Sequence, residues 1–242
     1  MRPTDLYDPA AHPPAEPWQL ARVAEIKRPE TPRLLSVVDF DQNVIGRVVS
    51  CTQDLADDPA LIAPFVRWRN QNLAGWLDQR PVTQEGTERW FRKALADPSR
   101  LNILFYAGDK LIGRGGMIEL SRDSYMSDGI VRGERGGGIN FMHFSNFACM
   151  SWDFANLGIS TIYSKVLATN EMALSATKLL GYEILGSVPL YVKNTPSGTL
   201  ITEEAEEGLV VHPARLWYLS APQAAFEEAR ERAWTTRSFH SP

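Results

Sequence analysis

Between Asp128 and Asn140 the chain reads Asp-Gly-Ile-Val-Arg-Gly-Glu-Arg-Gly-Gly-Gly-Ile-Asn. A short β-branched run enters a glycine-rich turn bracketed by Arg132 and Arg135, and the turn opens on an apolar stretch. Residues of these types in this order suit the binding of a phosphate. Glycines let backbone N–H groups converge, a helix N-terminus adds partial positive charge, and arginines add full charges. Taken alone, Gly136-Gly137-Gly138 reads more readily as a flexible surface loop. The neighbouring sequence shifts the balance.

From Asn140 to Leu157 the residues Phe141, Phe144, Ala148, Trp152 and Ala155 recur at helical spacing, with Phe147 and Cys149 broadening the apolar stripe. Gly158 is placed to end that helix as a left-handed cap. Ser160 to Leu167 alternates with period two and is rich in β-formers, which predicts a strand. Asn170 is a cap for a second helix over Glu171 to Leu180, and Gly181 stops it.

Strand, glycine turn, helix, strand, Asn-capped helix and a Gly-aromatic ending resemble the GNAT superfamily of N-acetyltransferases. The family's loop pattern is Arg or Gln, two residues, Gly, one residue, then Gly or Ala. Arg135-Gly-Gly-Gly138-Ile-Asn140 matches its first two fixed positions and departs at Asn140. A later family pattern appears as Asn170-Glu-Met-Ala173 and Leu180-Gly-Tyr182. The position where family members often carry a thiolate-protonating tyrosine holds Thr177. The resemblance spans residues 45–220 and is motif-level only over 128–186.

The resemblance implies an α/β (α+β) fold with a mixed central sheet and helices on both faces. The domain is expected over 34–234, after a Pro-rich extension (1–33) and before a tail (235–242). It implies acetyl-CoA as cosubstrate, held by Ile130, Val131, Arg132, Arg135, Gly136, Gly137, Gly138, Asn140 and Asn170. The strand near Ile130 to Arg132 would pair with the pantetheine arm, and an N–H near Val131 would polarise the thioester carbonyl. A neutral amine must attack, so a carboxylate should take its proton, and Glu119 and Asp128 are the candidates. Each also reads as a strand-end surface carboxylate. Thr177 is expected to stand in for the missing phenol by positioning a water.

Phe65-Val-Arg-Trp-Arg-Asn70 falls in a predicted helix, and Arg89-Trp-Phe-Arg92 in the next. Trp68 and Trp90 occupy apolar helical positions, where a core role is the plain reading. The Trp-Arg-Asn triplet also resembles GNAT enzymes that acetylate amino-sugar nucleotides or protein N-termini. That likeness makes Trp68, Arg69 and Asn70 candidate acceptor-binding residues. Arg69 suits a bidentate pair with a phosphate or carboxylate, or else is a solvated surface arginine.

Composition sets outer bounds. The 242 residues suit one decorated domain, and 44% apolar content is ample for a core. A net charge of −4 and a pI near 5.6 give no electrostatic footprint for nucleic acid. Cys51 and Cys149 suit a reduced compartment and lack metal-type spacing, so no metal is expected. No apolar run approaches the ~20 residues of a membrane helix. The expectation is a cytoplasmic protein, with acyl-CoA and an amine-bearing acceptor as partners and a homodimer left open.

The remaining elements follow from pattern. Pro3, Pro9, Pro13, Pro14 and Pro17 predict an extended arm. Leu34 to Val38 and Ile45 to Thr52 predict a hairpin, and Ala60 to Leu77 and Thr83 to Ala96 predict helices. Asn102 to Ala107 and Lys110 to Leu120 pair across Gly108-Asp109. Glu183 to Val192 and Leu209 to Leu219 are strands, and Ala224 to Ala233 is a closing helix. The connection from Lys193 to Gly208, with Glu203, Glu204, Glu206 and Glu207, reads as an acidic lid or as a solvated loop. His12 and His240 fall in expected tails, and His143 at the start of a helix should stay neutral.

The function expected from these features is acyl transfer to the primary amine of a small molecule, such as an amino sugar. A non-catalytic acyl-CoA sensor or assembly subunit is the competing class, favoured by Thr177 and Asn140. A different acyl donor, or a protein N-terminus as acceptor, also remains open.

Overall fold

The computed structural model describes residues 2–239. Its framework is one sheet of nine strands in the order β1-β2-β3-β4-β5-β6-β9-β7-β8. The strands are β1 (Leu34–Val38), β2 (Val44–Ser50), β3 (Leu101–Ala107), β4 (Lys110–Ile118) and β5 (Ser124–Arg132), then β6 (Thr161–Leu167), β7 (Glu183–Thr195), β8 (Gly198–Thr202) and β9 (Val210–Pro222). Every neighbouring pair is antiparallel except β5 and β6. The sheet is therefore mixed, as expected.

Helices cover both faces. On one face lie α1 (Pro17–Glu25), α4 (Phe141–Leu157), α5 (Glu171–Leu179) and α6 (Gln223–Thr236). There Val23, Phe141, Phe147, Leu157 and Phe226 meet Leu101, Phe105 and Ile162 in the main core. On the other face α2 (Pro59–Gln71) and α3 (Gln84–Ala96) pack Ile62, Phe65, Trp68 and Phe91 against Cys51 and Leu104. With both faces covered, β3 is buried along Leu101 to Phe105 without alternation.

Three expectations need correction. The segment before residue 34 is not wholly an extended arm. Pro17 takes the first turn of α1, where its missing N–H costs nothing, and Val23 and Ile26 enter the main core. Arg33, assigned to the extension, forms a buried ion pair with Asp153 of α4 at 2.6 Å, and Tyr125 donates to the same carboxylate at 2.7 Å. Within the arm, His12 is part-buried, packed against Tyr7 and Tyr163 and 3.3 Å from Asp123. His240 lies outside the described residues.

The helix expected over 60–77 ends at Gln71, because Asn72 takes φ −120°, ψ 31° and turns its amide back onto the Trp68 carbonyl at 2.9 Å. A 3-10 turn at Leu73–Gly75 follows, and the chain then bends at Trp76, Leu77 and Arg80 around a single bridge from Asp78 to Leu200. The 193–208 connection is half strand, and its four glutamates fall in the irregular part that follows residue 202. β7 runs on to Thr195 and β8 returns through a tight turn at Pro196-Ser197. The outer edge of β8 takes a further partner: Gln79 N–H donates to the Thr199 carbonyl at 2.9 Å and Ile201 N–H to the Leu77 carbonyl at 2.7 Å. Sequence periodicity cannot register such a pairing, since its partners lie more than a hundred residues apart.

Candidate active site

β5 and β6 pair in parallel only from Ser124 opposite Thr161 to Ser127 opposite Ser164. Beyond that point Asp128 to Arg132 remain hydrogen-bonded only to β4, and Lys165 to Leu167 only to β9. The cause is local. Gly129 adopts φ +62°, and the β4–β5 register slips between Arg114 and Gly116. A bulge of this kind bends its strand and increases twist, which turns the end of β5 away from β6. The strands open into a V whose inner edge is unpaired backbone.

The V leads to the glycine turn. Gly137 and Gly138 stand at φ +69° and +82°, a region L side chains rarely adopt. Arg132 donates to the Gly136 and Gly138 carbonyls at 2.8 and 3.1 Å. In trans peptides this turns the following N–H groups, those of Gly137 and Ile139, the opposite way. Among the described residues no protein acceptor meets the N–H groups of Arg135 to Asn140. The first turn of α4 follows immediately, and its own leading N–H groups have no intrahelical partner. A converging set of free N–H donors at a helix N-terminus fits a pyrophosphate.

Arg132 therefore braces the turn, where sequence reasoning expected a direct phosphate ligand. Arg135 is exposed and its guanidinium has no partner among the described residues, so it is the arginine free to meet an anion. Asn140 makes no side-chain cap bond, whereas the Asn170 side chain accepts from Ala173 N–H at 3.1 Å and serves as a helix cap. His143 lies half-buried in the first turn of α4, and burial lowers its pKa, keeping it neutral beside the turn.

A narrow cavity continues the V toward the main core. Ser127, Ile130, Asn146, Ser164, Thr177 and Tyr182 are among the residues lining it. Thr177 is thus at the cleft, with its hydroxyl donated to the Leu174 carbonyl at 2.9 Å and its lone pairs left for a water. Ile130 is 46% exposed on the open edge of β5. Sequence reasoning did not find Ser127, Ser164 or Tyr182 as cleft residues, because the parting of two strands distant in sequence creates the cleft.

The two candidate bases lie in different settings. Glu119 stands just past β4 at φ +56°, exposed, with its charge felt by Tyr7 and Tyr218. Asp128 begins the open part of β5, and its carboxylate is paired with Arg100 at 2.8 Å.

The three α2 residues separate by role. Trp68 is 1% exposed, packed flat on Gly133 with its indole N–H on Glu134 at 3.1 Å, so it is core, not an acceptor surface. Asn70 binds both the N–H and the carbonyl of Val82, at 2.8 and 2.9 Å, and so fixes the α2–α3 connection. Arg69 points into the molecule. It donates to the Asp78 carbonyl, stacks on Trp76 with 4.6 Å to the ring centre, and buries one terminal nitrogen without a partner. The acidic residues after β8 are partly spoken for, Glu203 by Lys165 at 3.0 Å and by the Tyr218 hydroxyl, and Glu206 by Lys193 at 2.8 Å.

No protein-family model matches the chain, and no curated protein matches it in sequence. Solved structures do. A GCN5-related N-acetyltransferase from Brucella melitensis superposes at TM-score 0.60 and 15% identity, covering 84% of each chain. RimL, a ribosomal L7/L12 alpha-N-protein acetyltransferase in its apo form, gives 0.59 at 12% identity over 79% of this chain and 95% of its own. Spermidine N-acetyltransferase from Vibrio cholerae, in complex with CoA and spermine, gives 0.57 at 14% identity over 76% and 99%. What is shared at such identities is architecture. The chain has the fold of the GNAT N-acetyltransferases.

Among the described residues no helix is long and apolar enough to cross a membrane, and no group of three or more His, Cys, Asp or Glu residues is placed to hold a metal ion.

Proposed function

We propose that this protein transfers a short acyl group, most simply acetyl, from acyl-CoA to an amine. The observation that carries the reading is the V between β5 and β6 standing directly over the glycine turn and the α4 N-terminus. An unpaired strand edge gives the pantetheine amides a ladder partner, and the free N–H groups of the turn give the pyrophosphate its donors. The likeness to RimL and to spermidine N-acetyltransferase supports an amine as the acceptor class.

In this reading the thioester lies along Ile130 and Val131, with a backbone N–H of β5 directed at its carbonyl oxygen. The amine nitrogen attacks the carbonyl carbon, the C–S bond breaks, and the nitrogen loses one proton. Glu119, directly or through water, takes that proton. It is the better base candidate, since the Asp128 carboxylate is occupied by Arg100. The thiolate leaves into the cleft beside Thr177, where a water held by that hydroxyl can return a proton. No covalent enzyme intermediate is required. The acceptor is a small molecule bearing a primary amine, reached from the α2–α3 face.

Calorimetry with CoA and acetyl-CoA, followed by thiol release across a panel of amines, tests the proposal. Micromolar binding of both and turnover of at least one amine class are expected. Binding without turnover on any amine would favour a non-catalytic acyl-CoA sensor, and failure to bind CoA would remove both readings.

A further inference from the structure

Between α2, α3 and the inner half of β4 lies a cluster that the transfer reaction as described does not use. Arg114 rises from β4 in the run Gly113-Arg-Gly-Gly116, cross-strand from Val131. Its guanidinium is enclosed by three aromatic rings, Phe65, Trp76 and Trp90, with 5.3, 5.8 and 4.9 Å to their centres. Among the described residues it has no hydrogen-bond acceptor and no ion pair. The nearest carboxylate, Asp128, makes its pair with Arg100, which itself stacks on Trp90 at 5.4 Å. Arg69 shares the Trp76 ring with Arg114 and contributes the buried nitrogen that has no partner.

Arg100 and Arg114 thus both face the Asp128 carboxylate, while Arg69, whose own carboxylate neighbour is Asp78, lies beside Arg114 across the Trp76 ring. Burial brings the Arg114 pKa down to about 10, with Arg100 and Arg69 adding to the decrease and Asp128 opposing it, so the group stays cationic at neutral pH. Stacking occupies the flat faces of a guanidinium and leaves its in-plane N–H donors free. A partly desolvated cation held this way, its donors unused, is arranged for an oxyanion: the fork matches a carboxylate or phosphate bidentately, and the site's reduced water content strengthens the contact.

The cluster also adjoins the reacting edge. A Cβ placed on Gly129, the bulge residue at the mouth of the V, would come within 3.0 Å of an Arg114 terminal nitrogen. An oxyanion bound there is a few bonds' length from the open edge of β5.

We propose that Arg114, with Arg69 beside it, forms an anion subsite that selects acceptors carrying a carboxylate or phosphate close to the reactive amine. This rests on the acyl-transfer reading for its substrate role, but the subsite is testable by binding alone. The excess positive charge disfavours an acceptor with a second ammonium group, which would enter the same space against Arg69 and Arg114.

The test compares four amines of matched length: ethanolamine, ethylenediamine, β-alanine and 2-aminoethyl phosphate. Binding in the presence of CoA is followed by tryptophan fluorescence, to which Trp76 and Trp90 contribute, and turnover by thiol release from acetyl-CoA. Either or both anionic probes are expected to exceed the neutral and dicationic ones at least tenfold in affinity or kcat/KM. The ratio between β-alanine and 2-aminoethyl phosphate distinguishes the two oxyanions. Arg114→Gln should erase the preference while CoA affinity is retained. Arg69→Gln, at a more peripheral position, should reduce it and serves if Arg114→Gln does not fold. Neutral or dicationic probes binding as well as the anionic ones to the wild-type protein would overturn the subsite, as would an unchanged preference in folded Arg114→Gln. If CoA fails to bind while the anionic probes still bind selectively, the acyl-transfer reading falls and the subsite stands.

Discussion

At the scale of single residues, the glycine turn proposed to hold the pyrophosphate depends on backbone conformation more than on side-chain contacts. A Cβ on Gly138 would meet nothing within 4 Å, yet its φ of +82° is one that branched side chains avoid. Gly138→Val should therefore leave the core intact and force the turn out of shape, at a local cost of about 1–2 kcal/mol for the left-handed conformation. The expected outcome is a cooperative thermal transition near that of the wild type together with loss of acetyl-CoA binding. Unaltered affinity in the folded variant would remove the turn from the cofactor site. The acid–base question is also settled by single residues. Glu119→Gln should lower kcat/KM by about 10²-fold or more with acetyl-CoA affinity nearly unchanged. Asp128→Asn should act differently, since it releases Arg100: a loss that appears mainly in KM for the acceptor is expected. A larger kcat loss in Asp128→Asn than in Glu119→Gln would move the base to Asp128.

At the scale of elements, α2 and the phosphate turn act as one unit. Gly133 follows β5 directly, its N–H donating to the Ile112 carbonyl at 2.8 Å, and the Trp68 indole occupies the space a side chain there would need. The neighbouring Glu134 holds the Trp68 N–H and also pairs with Arg67, so two α2 residues grip the start of the turn. The Trp-Arg-Asn triplet thus matters first because it positions the turn and the α2–α3 connection. Gly133→Ala should push α2 outward and destabilise the fold by about 1–3 kcal/mol, the usual cost of overpacking. Weaker CoA binding should accompany that loss even though residue 133 need not touch CoA. A denaturation midpoint equal to the wild type's would show that Trp68 can yield without strain. A similar coupling holds across the sheet. The β7–β8 hairpin reaches the 77–79 segment by backbone pairing, so this edge of the sheet comprises elements far apart in sequence.

At the scale of the whole molecule, the residues before β1 are built into the fold. The Lys27 amine is buried, donating to the Leu95 carbonyl at 3.0 Å and the Asp97 carbonyl at 2.5 Å, and burial lowers its pKa from 10.5 to about 8. Below pH 8 both folded and unfolded chains hold the proton, and the full cost of burying the charge is present. Between about 8 and 10.5 the unfolded chain holds the proton and the folded one does not, so this group makes stability rise with pH. Relative to Lys27→Met, the wild-type protein should gain about 1–2 kcal/mol between pH 8 and pH 9.5. Urea titrations at the two values check this, and a difference independent of pH would mean that the amine is not desolvated as described.

The sequence by itself determined what local physics determines. Asn170, Gly158 and Gly181 marked helix ends because caps and left-handed residues act within one turn. The spacing of Phe141, Phe144, Ala148 and Trp152 marked α4, and the glycines beside Arg135 marked the turn that precedes it, since a run of glycines admits the positive φ found at Gly137 and Gly138. Even the absence of a phenol at Thr177 was legible. Tertiary structure decided the rest, and the reason is distance along the chain. Trp68 and Arg69 are adjacent in sequence and on one helix, but only packing showed that one lies under the turn and the other faces Trp76. Arg114 carried a faint signal, an arginine among glycines in a strand; its significance came from Phe65, Trp90 and Asp128 converging on it from three other elements. The cleft itself has no sequence of its own. It exists because a bulge at Gly129 turns β5 from β6, and hydrogen-bond ladders between separated strands are set by the global fold, which a local pattern does not encode.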